Sequence, residues 1–102
     1  MEGVPPELNI HVQYCTPCGG KRAFDRMAAA IQENVPTAKV TGEEDYRSGA
    51  FEVTINGKNV HSRLQTFMYP DVNDTVQAVK SISLGGPIPN SLQRSIFDCI
   101  LS

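Results

Sequence analysis

Three observations predict a small α/β fold, a four-stranded mixed sheet with both helices on one face. Residues 8–14 and 50–55 alternate apolar and polar side chains, the period of a strand with one covered face. Residues 22–35 and 71–84 carry apolar side chains at helical spacing instead. Asn56-Gly57 joins two strand-like runs through the dipeptide preferred in a two-residue type I′ hairpin turn.

The first strand, LNIHVQY, places Leu8, Ile10, Val12 and Tyr14 on one face and Asn9, His11 and Gln13 on the other. The turn CTPC follows. RAFDRMAAAIQENV then reads as a helix through Phe24, Met27, Ala28 and Ile31, and Pro36 stops it. AKVTG is a short second strand with Ala38 and Val40 inward, and GEEDYRSG is a polar loop. AFEVTI turns Phe51, Val53 and Ile55 inward and leaves Glu52 and Thr54 to solvent. KNVHSR returns antiparallel through the hairpin, which puts His61, like His11, on the open face. LQTFMYP is an apolar loop, either a lid on the core or a partner-binding patch beside the CTPC turn. Asp71 with Asp74 forms a capping arrangement for the second helix, which carries Val72, Val76, Val79 and Ile82 and ends at Gly85-Gly86-Pro87.

The order is therefore β-α-β-β-β-α. The crossover makes strands 1 and 2 parallel, and the hairpin makes strands 3 and 4 antiparallel. A sheet covered on both faces reads as continuous apolar runs; the alternation here implies one open face. That arrangement is a compact variant of the thioredoxin-like architecture. The expected organisation is a flexible arm over 1–7, a single domain over 8–84 and a flexible tail over 85–102.

Composition narrows the function. A chain of 102 residues, 40% apolar and 20% charged, suffices for one core, and the expected state is a monomer. A net charge of −2 offers no basic surface for nucleic acid. No apolar run approaches a membrane span, and MEGVPPELN has neither the basic nor the apolar region of a secretory signal, so a cytoplasmic protein is expected. Three cysteines, Cys15, Cys18 and Cys99, are an odd set for a disulfide-stapled fold.

Cys15-Thr16-Pro17-Cys18 stands between a strand end and a helix start. There the helix N-terminus offers free N–H groups and the positive end of its dipole, both of which favour a thiolate, the reactive form of a thiol. Lys21 and Arg22 add positive potential. Pro17 restrains the turn, and Gly19 and Gly20 leave the backbone open to a substrate at a cost in helix propensity. A zinc site needs four ligands and lacks them in this spacing, so no metal is expected. Two inert packed cysteines remain an alternative to a redox pair, and the strand–CxxC–helix context favours the pair.

VQYCTPCGGKRAFDRMAAAIQENVP followed by GAFEVTINGKNVHSR resembles the selenoprotein W family over roughly residues 8–84. The resemblance implies a thioredoxin-like redox protein, without a cofactor of its own and with glutathione or a protein thiol or disulfide as partner. It also places selenocysteine, where the family uses it, at the position of Cys18. Position in the motif favours Cys15 as the attacking thiol and Cys18 as the resolving one; the selenium position favours the reverse. We take Cys15 as the attacker. The chain lacks a proline before its third strand, where thioredoxins hold a substrate clamp, and this points to a low-turnover redox regulator; the alternative is a non-catalytic prenylated signalling adaptor whose CxxC is only a regulatory switch.

Cys99-Ile100-Leu101-Ser102 has the form of a C-a-a-X prenylation signal, with Ser favouring farnesyl. The resemblance extends to a subgroup that combines CxxC with such a motif and implies action in signalling and cell motility at the cytosolic face of membranes. One lipid without a polybasic patch anchors only marginally.

Overall fold

The structure, a computed structural model, describes residues 8–92. The strands are β1 (Asn9–Tyr14), β2 (Lys39–Glu44), β3 (Phe51–Ile55) and β4 (Lys58–Ser62); the helices are α1 (Gly20–Asn34), a single turn α2 (Arg63–Thr66) and α3 (Val72–Ser83). The sheet order is β2-β1-β3-β4, with β1 parallel to β2 and antiparallel to β3, and β3 antiparallel to β4. This is the expected thioredoxin-like sheet. The tight turn is also as expected: Asn56 and Gly57 both have positive φ, 49° and 87°.

Periodicity decides which residues form the core. Ile10, Val12, Phe51, Val53 and Ile55 are wholly buried beneath Met27 and Ile31 of α1 and Val76, Val79 and Ile82 of α3. On the open face, His11 bridges β1 to β2, with Nδ1 2.7 Å from Thr41 Oγ1 and Nε2 3.2 Å from Glu43 Oε1, which also accepts from Gln13 Nε2 at 3.1 Å.

Five details differ from the sequence expectations. β2 runs on to Glu44 and is exposed along most of its length, because it is an edge strand; Ala38 is buried just before it, while Val40 is only half-buried. His61 is not on the open face. Thr54 pairs with Asn59 but Val53 pairs with His61, so Val60 is an extra residue that shifts the alternation by one. Val60 and His61 are both buried, and His61 Nε2 lies 2.7 Å from the Met68 carbonyl oxygen.

Glu52 is on the predicted face but is covered. Its carboxylate accepts from the Ser62 hydroxyl, from the Arg63 amide at 2.9 Å and from the Leu64 amide at 3.4 Å. It thereby satisfies the free N–H groups at the start of α2, the helical turn that replaces part of the expected loop. The Asp71 carboxylate caps α3 as expected, accepting the Asp74 amide at 2.9 Å. Finally, the chain beyond α3 stays on the domain as far as it is described: the Leu92 amide donates to Val60 O at 2.8 Å, and the Leu92 side chain is 4% exposed. The expected arm over 1–7, and the tail from 93 onward with Cys99, lie outside the described residues.

Candidate active site at the CxxC turn

β1 delivers Cys15 to the edge of the core. Its amide donates to Ala50 O at 2.9 Å, the next rung beyond the β1–β3 ladder, and the residue is 5% exposed. Cys18 is exposed, three residues on, with Cα 5.4 Å from that of Cys15, within the range a disulfide spans, and the two sulfurs are joined. Cys18 and not Cys15 is thus the sulfur-bearing residue that faces solvent, which counts against the choice of Cys15 as attacker.

The turn is closed by its own backbone. Gly19 N donates to Thr16 O at 3.1 Å and Gly20 N to Cys15 O at 2.9 Å. Gly19 adopts φ +88°, and a Cβ on Gly20 would stand 2.6 Å from Cys15 O. These glycines serve the turn's geometry and its close fit to β1, rather than only a substrate's approach. Thr16 and Pro17 are exposed beside Cys18.

The groups that touch Cys18 come from distant segments. The Gly49 amide donates to Cys18 Sγ at 3.2 Å, and Ser48 Oγ lies 3.9 Å from the same sulfur. The Tyr69 hydroxyl donates to Cys18 O at 3.2 Å. Arg63 joins these two supports: Nη1 donates to Gly49 O at 3.0 Å, and the guanidinium lies 4.4 Å from the centroid of the Tyr69 ring. Tyr69 in turn meets Phe51 edge-on at 5.1 Å. So the apolar loop contributes both a lid, through Tyr69, and an exposed residue, Phe67, at 80% exposure.

Electrostatics divide the nearby cations. Lys21 reaches along α1 to Asp25 at 2.7 and 2.8 Å, and this hydrogen bond raises its pKa. In the loop before β3, Arg47 donates from Nη2 to Asp45 at 2.6 Å and from its amide at 2.9 Å, holding the Asp45 carboxyl below its ordinary range. Arg22 is exposed on the first turn of α1. Among the described residues no cluster of three or more His, Cys, Asp or Glu side chains is gathered for a metal, and no helix is long and apolar enough to cross a membrane.

Sequence reasoning found the cysteines, Pro17 and the glycine pair, and placed the loop that holds Tyr69 beside the turn without assigning the contacts of Gly49 and Tyr69 with Cys18. It missed Arg63, which lies 14 residues from its hydrogen-bond partner Gly49 and shows no local pattern.

The class that fold and site define is a thioredoxin-like sheet with a CxxC pair, joined as a disulfide, between β1 and α1. Residues 9–81 match the model of the Rdx family, and the chain belongs to that family. It is 33% identical over 81 residues to migration and invasion enhancer 1 of Bos taurus, and equally to that of Mus musculus, covering 79% of this chain and 70% of each relative. Its fold is similar to the crystal structure of a selenoprotein W-related protein from Vibrio cholerae, with TM-score 0.68 and 20% identity over 76% of this chain and 99% of that one. A protein from Bordetella parapertussis gives TM-score 0.66 and 22% identity over the same shares.

Proposed function

We propose that the protein is a thiol–disulfide redox regulator whose attacking group is the Cys18 thiolate. The observation that carries this reading is the pairing of an exposed, hydrogen-bonded sulfur with a buried one directly behind it. Cys18 attacks one sulfur of a partner disulfide, R–S–S–R′. A Cys18–S–R mixed disulfide forms, and R′S⁻ leaves and takes up a proton. Cys15 then loses its proton and attacks Cys18 Sγ, forming the internal disulfide and expelling RS⁻. The partner gains two electrons and the protein loses two; a dithiol or two molecules of glutathione restore the reduced pair. Cys15, being buried, cannot meet a bulky partner first, but it needs only to reach its neighbour.

Thiol trapping across glutathione redox buffers tests the reading. A single two-electron transition of Cys15 and Cys18 is expected; thiols that remain alkylatable in strongly oxidising buffer would reduce the pair to packed cysteines.

The proposal extends to the setting. A prenyl group on Cys99 would hold a cytoplasmic protein partly at membrane surfaces, where it acts on redox-linked signalling or on cell motility, the latter in keeping with the relatives' name, migration and invasion enhancer. A single chain binds weakly, so the protein should divide between membrane and cytosol. Cell fractionation of wild type and Cys99→Ser, with the intact mass of each, checks this: identical distributions remove the anchor.

A further inference from the structure

We infer that Arg63 is a positioning residue that holds the Gly49 N–H against the Cys18 sulfur and so favours the thiolate. The inference rests on the redox reading above and assigns the source of the thiol's reactivity. At the start of α1 the amides of Gly19 and Gly20 are closed on Thr16 O and Cys15 O. The backbone donor that reaches the Cys18 sulfur, seen here in the disulfide, is Gly49 N, at 3.2 Å, with Ser48 Oγ farther off at 3.9 Å. A hydrogen bond to the charged form of an acid favours that form, and an N–H to an anion is among the stronger kinds.

Gly49 is held in a conformation, φ +85°, that only glycine adopts easily, and a Cβ there would stand 3.3 Å from Arg63 Nη1. Arg63 Nη1 fixes the Gly49 carbonyl at 3.0 Å, while its guanidinium lies against Tyr69, whose hydroxyl holds the Cys18 carbonyl at 3.2 Å. One side chain thus braces both Gly49 and Tyr69, two of the groups that contact Cys18. Its charge is also available. Lys21 is paired with Asp25, Arg47 with Asp45, and His11 faces Glu43 at the far edge of the sheet. Glu52 contacts the Arg63 backbone amide. Among the described residues the guanidinium has no carboxylate partner, and its Nε is enclosed without a hydrogen bond. Arg22 is the remaining cation near the turn, exposed on α1.

The test uses the full chain with Cys15→Ser and Cys99→Ser, leaving Cys18 as the only thiol, and follows its alkylation by iodoacetamide against pH. The wild-type background should show a midpoint below the ordinary thiol value of about 8.5. Arg63→Met should raise that midpoint by about one unit, a ten-fold loss of thiolate below it. Arg63→Lys should recover part of the shift. With Cys15 restored, and at a pH above both midpoints, Arg63→Met should stabilise the disulfide against the dithiol about ten-fold, or about 30 mV toward more reducing potentials. A folded Arg63→Met protein with the wild-type midpoint overturns the inference. Should that variant not fold, Arg63→Gln at the wild-type midpoint does the same. A wild-type pair that shows no two-electron transition sinks the redox reading and this inference together; a normal transition with unmoved midpoints sinks this one alone.

Discussion

Gly20→Ala is a substitution on which helix propensity and the structure disagree in sign. Gly20 is the first residue of α1, and replacing a helical glycine with alanine gains up to about 1 kcal/mol on propensity alone. The structure opposes the gain. The new Cβ would lie 2.6 Å from Cys15 O, 2.9 Å from Tyr14 Cβ and 3.0 Å from Cys15 N. Two of those atoms are backbone, and Tyr14 Cβ is fixed to it, so no side-chain rotation relieves the contact. Inserting a methyl group into a packed site typically costs about 1–3 kcal/mol, and a contact with rigid neighbours belongs at the upper end. The net expectation is a loss of about 1–2 kcal/mol, or roughly 4–16 °C in thermal midpoint for a domain of this size. Urea unfolding of the reduced protein is the appropriate assay, since the disulfide then plays no part in the unfolded state. The oxidised form should be affected as well, because Gly20 N donates to the carbonyl of Cys15 itself. A variant more stable than wild type in both forms would show that the turn does not press on the helix as described, and would refute the reasoning.

Phe51→Ala, which empties a fully buried site against Tyr69, should cost about 3–5 kcal/mol in urea unfolding, whereas Thr54→Ala on the half-buried open face should change stability by less than about 1 kcal/mol. Leu92→Ala should cost about 2 kcal/mol or more, a loss that a free tail would not show. The Asp45 carboxyl, held down by Arg47 from an ordinary value of 3.8, stabilises the fold above that value and ceases to do so as pH falls through its lowered folded value. Asp45→Asn should therefore flatten the stability profile below about pH 4. Lys21→Gln should leave the Cys18 alkylation midpoint in place, since Lys21 is paired with Asp25; a rise would return the thiolate's support to α1.

The parts of the fold legible in the sequence are those governed by near-neighbour periodicity. Val12 and Val53 announce a covered face because polar residues flank them, and Met27 and Ile31 announce a helix because they recur one turn apart. The parts that were not legible depend on a partner far along the chain. The extra residue Val60 inverts the reading of His61, and nothing in KNVHS marks it, since no glycine flags the bulge. The α2 turn forms where its first amides meet the Glu52 carboxylate, 11 residues earlier, so its sequence alone reads as loop. Glu52 in turn is buried on a face that alternation assigns to solvent, because the same contact covers it.

The CxxC site divides along the same line, and the division explains why the motif alone does not tell which cysteine is exposed. The motif's local context says correctly that two sulfurs stand at a strand–helix junction. It does not say which way the turn rolls. That is set by the Cys15 amide bonded to Ala50 O, which draws Cys15 under the end of the sheet, and by Gly20, which packs against the Cys15 backbone without a side chain. Cys18 is left facing the loop before β3. Its sulfur meets Gly49, 31 residues on, and its carbonyl meets Tyr69, 51 residues on. The setting of the Cys18 sulfur is therefore defined less by the motif than by the two segments that contact this residue, and the Arg63 side chain touches both.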